Sequence, residues 1–379
     1  HGSSDPPSPT RWPPRWRNVW RRGGHRVGLG GSDDPWLHAL VATGARHGLW
    51  LRVHAPPFGT HAQEALDPAS GTARQRPHVV LLALDHRAHD LSPCPGHQDV
   101  ADRRVTQALQ SLGAMASALQ SSTGATVIVQ TLAPTGPSVF GHLEAQVPGS
   151  AGWLIEEFNR RLRCDRAPGV LLLDTAALAA SVGLDAWHDA RLWNLGKFPF
   201  AQEVVPLYAD HVCRLVAAVR GKAKKCLVLD LDNTLWSGVI GDDGMQGIVI
   251  GQGSAAGEAH LAVQSTALAL RDRGIVLAVS SKNDDRIARQ VLREHPDMLM
   301  REEHIAAFQA NWQDKASNLQ AIARALNIGV DALVLLDDNP AERQQVRMAL
   351  PEVGVPELPD SPDDYAAILL AGGYFETTQ

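Results

Sequence analysis

Cysteine is scarce in this chain, with four among 379 residues (Cys94, Cys164, Cys213 and Cys226) and no CxxC pair. That excludes a disulfide framework and a cysteine zinc site, and it fits a reducing, cytoplasmic setting. No uncharged apolar run approaches the ~20 residues that cross a bilayer, and the first residues lack the apolar centre of a signal peptide. A soluble protein with no membrane partner is expected. Neither sign of charge dominates: 35 basic residues stand against 41 acidic ones, a net charge of −6. Such a balance offers no general field for nucleic acid. A GxxxxGK-Ser/Thr phosphate loop and internal repeats are also missing.

What remains is ordinary globular material, 44% apolar and 20% charged. At roughly 150 residues per domain the length suggests two or three domains. Residues 1–24 mix Pro, Ser and Arg with Trp12, Trp16 and Trp20 and read as a linker or disordered arm. Across 25–220, short Val- and Leu-rich runs at 26–30, 49–54, 79–84, 126–131 and 170–173 alternate with helical spacing at 102–120 and 150–162. Apolar runs bounded by Gly, Pro or Asp are what buried parallel strands require, so a three-layer α/β domain is expected. A basic hinge at 220–225 leads into a second α/β domain, 221–379. Its strands are expected at 226–229, 275–279 and 332–336, and its helices at 259–273, 284–294 and 315–326.

Chemistry gathers at the ends of those later strands. CLVLDLDNTLW closes a strand with Asp230 and Asp232, and LVLLDDNP closes another with Asp337 and Asp338. Carboxylates this close repel unless a cation or a proton neutralises them. A hard, oxygen-seeking Mg²⁺ suits the set. Between them IVLAVSSKND delivers Ser280, Ser281, Lys282 and Asn283, and Lys315 opens a helix. Hydroxyl and ammonium donors beside carboxylates fit a phosphoryl group, whose oxygens need charge neutralisation as a bond to phosphorus breaks. Thr234 and Asn339 are further candidate phosphate contacts, while Asn233 and Thr234 also suit shaping of the turn. A lone DxD can be a solvated turn and a DD pair can cap a helix.

Taken in order, DLDNTLW, SSKN, Lys315 and LLDDNP resemble the four motifs of haloacid-dehalogenase-like phosphotransferases. The resemblance implies a Rossmann-like fold for the second domain, Asp230 as the nucleophile and Asp232 as the general acid/base. It further implies Mg²⁺ held by Asp230, the main-chain carbonyl of Asp232 and Asp338, with Asp337 in support. Ser281 and Lys315 would bind phosphate, with Ser280 as the alternative.

A narrower likeness is carried by DNTLWSGVIGDDG, GEAHLAVQ, NWQDKASNLQAIARALNIG and DDNPAERQQVR. In the first domain it is carried by APPFGTHAQEALDPASG, FGHLEAQVPGS and WHDARLWNLGKFPF. These resemble FkbH-like glyceryltransferase/phosphatases of polyketide assembly lines. The implied reaction takes a glyceryl unit from 1,3-bisphosphoglycerate, removes phosphate and loads the unit on a phosphopantetheinylated acyl carrier protein, beside other polyketide synthase domains. The first domain resembles an SGNH hydrolase. Members of the family that form an acyl-enzyme carry a cysteine after the first strand, where this chain reads VGLGGSDDP. Ser32, Asp185 and His188 form the candidate N-terminal triad; an ordinary turn at Ser32 and a polar surface histidine are the alternative.

Overall fold

The computed structural model describes residues 25–30 and 35–378. Two compact units follow one another, the first ending at Val219 and the second starting at Arg220. The expected arm, residues 1–24, and Ser32 lie outside the described residues.

The first unit is built on a five-stranded sheet: β1 His25–Gly30, β2 Leu51–His54, β3 Val79–Leu82, β4 Thr126–Gln130 and β5 Val170–Leu173. Their order is β2-β1-β3-β4-β5, and every pairing is parallel. Strand periodicity explains the three layers. Val79, Leu81 and Ile128 pack into one apolar cluster, while Val80, Leu82, Val127 and Val129 pack into another on the opposite face. The helix Gln98–Thr123 covers the second face with Ala101, Val105, Ala108, Leu112 and Met115, residues three or four apart. It ends at Gly124, whose φ of 71° a side chain would resist. That helix begins four residues before the expected 102–120 stretch.

The second unit repeats the plan with four parallel strands: β6 Cys226–Leu229, β7 Val276–Ser281, β8 Ala307–Ala310 and β9 Leu333–Leu336. Their order is β8-β7-β6-β9. Leu227, Leu229, Leu277, Val334 and Leu336 face one core; Cys226, Val228, Ala278, Leu333 and Leu335 face the other. Three of these strands match the sequence expectation. The fourth, β8, reads AFQA with its two central residues only partly buried, so no apolar run marked it. The chain leaves β6 toward β7 on one side and returns to β9 on the other, so the strand order reverses between β6 and β9. Open α/β sheets bind ligands at such a switch point.

One buried charge in the first unit joins the helix Val205–Val219 to the turn that follows the helix Pro35–Arg46. Asp210, in the helix Val205–Val219, accepts from His47 Nε2 at 2.9 Å and from Arg214 at 2.6 Å. Burial alone would raise its pKa, but the His47 hydrogen bond and the Arg214 charge outweigh burial and bring it down to about 2. A depressed carboxyl contributes in full above its unfolded value and loses that contribution as pH falls through the folded one. Asp210→Asn is therefore expected to cost about 2 kcal/mol at neutral pH. Chemical denaturation should show the difference fading as pH falls from about 4 to 2, and a constant difference over that range would refute the assignment.

Candidate active site

Asp230 is the first residue beyond β6, and its backbone N–H donates to Leu336 O of β9 at 2.9 Å. That bond extends the strand pairing by one step and sets Asp230 beside Asp337, the first residue beyond β9. One carboxylate oxygen each from Asp230, Asp337 and Asp338 lies within 4.8 Å of the others. Asp337 is wholly buried and Asp230 nearly so.

Lys315 opposes this charge. It is the first residue of the helix Lys315–Ala325, whose start is set by Asp314 accepting from Ser317 N at 2.9 Å. Its Nζ lies 2.6 Å from Asp230 Oδ1 and 2.7 Å from Asp337 Oδ2, and it donates to Ser280 O at 2.9 Å. Burial would lower the lysine pKa, but the charges of Asp230 and Asp337 reverse the effect and raise it above its ordinary value. Burial, and after it the Asp230 charge, pushes both Asp337 and Asp338 up to about 6. Three ionised carboxylates against one ammonium leave two negative charges, which a hard divalent cation bound by oxygen would balance. The donor set therefore fits such an ion.

The two turns that carry the acidic residues are braced by hydrogen bonds. Asn233 adopts a left-handed φ of 53°, which asparagine tolerates, and its Oδ1 accepts from Gly238 N at 2.9 Å. Thr234 Oγ1 accepts from Asp338 N at 3.2 Å, stitching the β6 turn to the β9 turn. Behind it the helix Ala255–Asp272 sends His260 Nδ1 to Thr234 O at 3.0 Å and Gln264 Nε2 to Leu235 O at 2.9 Å. Arg343 donates from one terminal nitrogen to the carbonyls of both Asp337 and Asp338, at 2.9 and 2.6 Å.

The neighbouring polar residues form further contacts. The Asp232 side chain stands outside the three-carboxylate group: Trp236 Nε1, Ile240 N and Asn283 Nδ2 hold it. Ser281 Oγ joins this network by accepting from Asn283 Nδ2 at 3.1 Å, whereas Ser280 enters through its carbonyl, which meets Lys315. Lys282 forms an exposed pair with Glu342. Asn339 is exposed and uses its side-chain oxygen to cap the helix Pro340–Ala349 through Ala341 N at 2.9 Å.

In the first unit, His188 leaves the short helix Leu184–Trp187 with extended backbone, and its Nε2 meets Pro134 O at 2.7 Å. Among the described residues no hydrogen bond joins it to the exposed Asp185, so that pair is not assembled as a relay. Sequence reasoning missed Trp236, His260, Gln264 and Arg343. Each lies inside a motif that carried a resemblance, DLDNTLW, GEAHLAVQ or DDNPAERQQVR, yet the motif alone did not say what its side chain holds.

Removing the ammonium would leave uncompensated buried carboxylates. Lys315→Met is expected to lower stability by roughly 3–5 kcal/mol in the presence of a chelator. A saturating divalent cation should recover part of the loss. Denaturation with and without the cation checks this, and equal losses in both conditions would refute the charge balance.

No protein-family model and no curated protein matches the chain. Among solved structures, the chain is similar to the N-terminal part of the protein BF1531 from Bacteroides fragilis, which contains a phosphatase domain and is complexed with Mg. Identity is 28%, the TM-score is 0.85, and the match covers 95% of this chain and 96% of that one. An S. aureus MnaA-UDP co-structure also matches, but at 8% identity and a TM-score of 0.20 it carries no argument. With parallel strands, acidic strand ends and this neighbour together, the chain contains a haloacid-dehalogenase-like fold.

Proposed function

We propose that this chain is a Mg²⁺-dependent phosphatase of the haloacid-dehalogenase type. One observation carries the proposal: Asp230, Asp337 and Asp338 converge on one point, with Lys315 Nζ 2.6 Å from Asp230 Oδ1. The Mg bound by the Bacteroides fragilis phosphatase domain supports the choice of ion. Asp230, Asp338 and the Asp232 main-chain carbonyl would hold it, with Asp337 in support. Bound there, Mg²⁺ neutralises phosphoryl oxygens. An Asp230 carboxylate oxygen attacks phosphorus and forms an O–P bond as the ester P–O bond breaks. Lys315 orients Asp230 and, with Ser281, binds the transferring group. Asp232 gives a proton to the leaving oxygen and later receives one from the water that hydrolyses the phosphoaspartate.

The more specific proposal is a cytoplasmic glyceryltransferase/phosphatase. The thiol of a phosphopantetheinylated acyl carrier protein attacks C1 of 1,3-bisphosphoglycerate. A C–S bond forms, the C–O bond to the acyl phosphate breaks, and phosphate leaves. The remaining 3-phosphate ester is then the substrate of Asp230. Support for this lies in the FkbH-like motifs along both halves of the chain, including the SGNH-like first unit. Direct transfer to the carrier thiol is the simpler route, since Asp185 and His188 are not joined.

Incubation with Mg²⁺, a phosphopantetheinylated carrier and enzymatically generated 1,3-bisphosphoglycerate tests both levels by intact-mass spectrometry and phosphate assay. A carrier heavier by an unphosphorylated glyceryl unit supports the transferase. Phosphate release without loading leaves the phosphatase alone, and no reaction refutes both. Asp230→Asn is expected to slow phosphate release by at least about 10³-fold. Chelation of the metal should stop it.

A further inference from the structure

Three donors, two from the stretch after β6 and one from the turn after β7, converge on the carboxylate of Asp232. The wholly buried Trp236 donates from Nε1 to Oδ1 at 2.9 Å, and Ile240 N donates to the same oxygen at 3.0 Å. Asn283, buried at the end of the β7 turn, donates from Nδ2 to Oδ2 at 2.9 Å and to Ser281 Oγ at 3.1 Å.

A buried indole N–H needs an acceptor, and any carbonyl would satisfy it. Two more donors on the same carboxylate do something further, because each oxygen has about two lone-pair sites. Oδ1 has both taken, and Oδ2 has one left. We infer that Trp236 and Asn283 are positioning residues that set the rotation of Asp232 so that Oδ2, not Oδ1, exchanges the proton with the leaving group. This rests on the phosphatase proposal above.

The balance follows directly. As the O–P bond to Asp230 forms and the ester bond breaks, the proton on Oδ2 passes to the departing oxygen. When water attacks phosphorus, its proton returns to Oδ2 and the Asp230 carboxylate is released. Asn283 thus acts on the oxygen that reacts, and Trp236 with Ile240 N restrains the one that does not. Asn283 reaches substrate only through Asp232, because its amide N–H groups serve Asp232 and Ser281.

A leaving group that needs no proton separates this role from a merely structural one. Phenolates depart with little help, whereas alkoxides require protonation. The full chain with saturating Mg²⁺ is assayed on p-nitrophenyl phosphate and on glycerol 3-phosphate, alongside Trp236→Phe and Asn283→Ala. In each variant the ratio of kcat/KM for the aryl ester to that for the alkyl ester is expected to rise about 10- to 100-fold. A ratio equal to that of the unaltered protein, whether or not both rates fall, overturns the positioning role. Should Trp236→Phe not fold, the Asn283→Ala ratio decides alone. Failure of the unaltered protein to release phosphate from either ester overturns the phosphatase proposal and this inference together.

Discussion

Mutual repulsion among three carboxylates is the constraint around which the second unit is organised. Asp230, Asp337 and Asp338 lie where two parallel strands end side by side, in surroundings dry enough to raise the pKa of two of them to about 6. Lys315 supplies one counter-charge and holds Asp230 and Asp337 together, so the excess has a defined size and place. Charge of that kind is costly to fold around and useful once a cation and a phosphoryl group share the site.

Holding it in place takes an extensive polar frame. Thr234 links the two acidic turns, His260 and Gln264 fix the carbonyls behind the first, and Arg343 fixes those of the second. These groups are buried, so each carbonyl left without its donor would lose a hydrogen bond that water could not replace. Four of the carbonyls in and around the acidic turns are therefore set by side chains from two helices, one packed after β6 and one opening after β9.

The acidic strand ends were legible in the sequence because aspartates broke long apolar runs at a fixed offset, and Lys315 was legible from its place at a helix start. β8 was not, since AFQA has neither the length nor the apolar pattern of a central strand. The side-chain partners of Asn339 and Lys282, a helix start and Glu342, were not legible from their places beside the motifs. Trp236, His260 and Gln264 were hidden for a different reason. Their motifs were visible, but their partners are backbone carbonyls or a carboxylate brought near by folding, and no local pattern names those partners. His188 shows the converse: a suggestive spacing to Asp185 that the extended backbone at its helix end carries toward Pro134 instead.

Lys315 gets its place from Asp314, which caps the helix immediately before it. Each residue added to a helix turns the next by about 100°, so one extra residue between the cap and the lysine would swing the ammonium off the acidic group altogether. Asn311 N–H also donates to Ser281 O at the mouth of β7, leaving only three residues of slack before the lysine. Across related sequences this connection should keep a constant length.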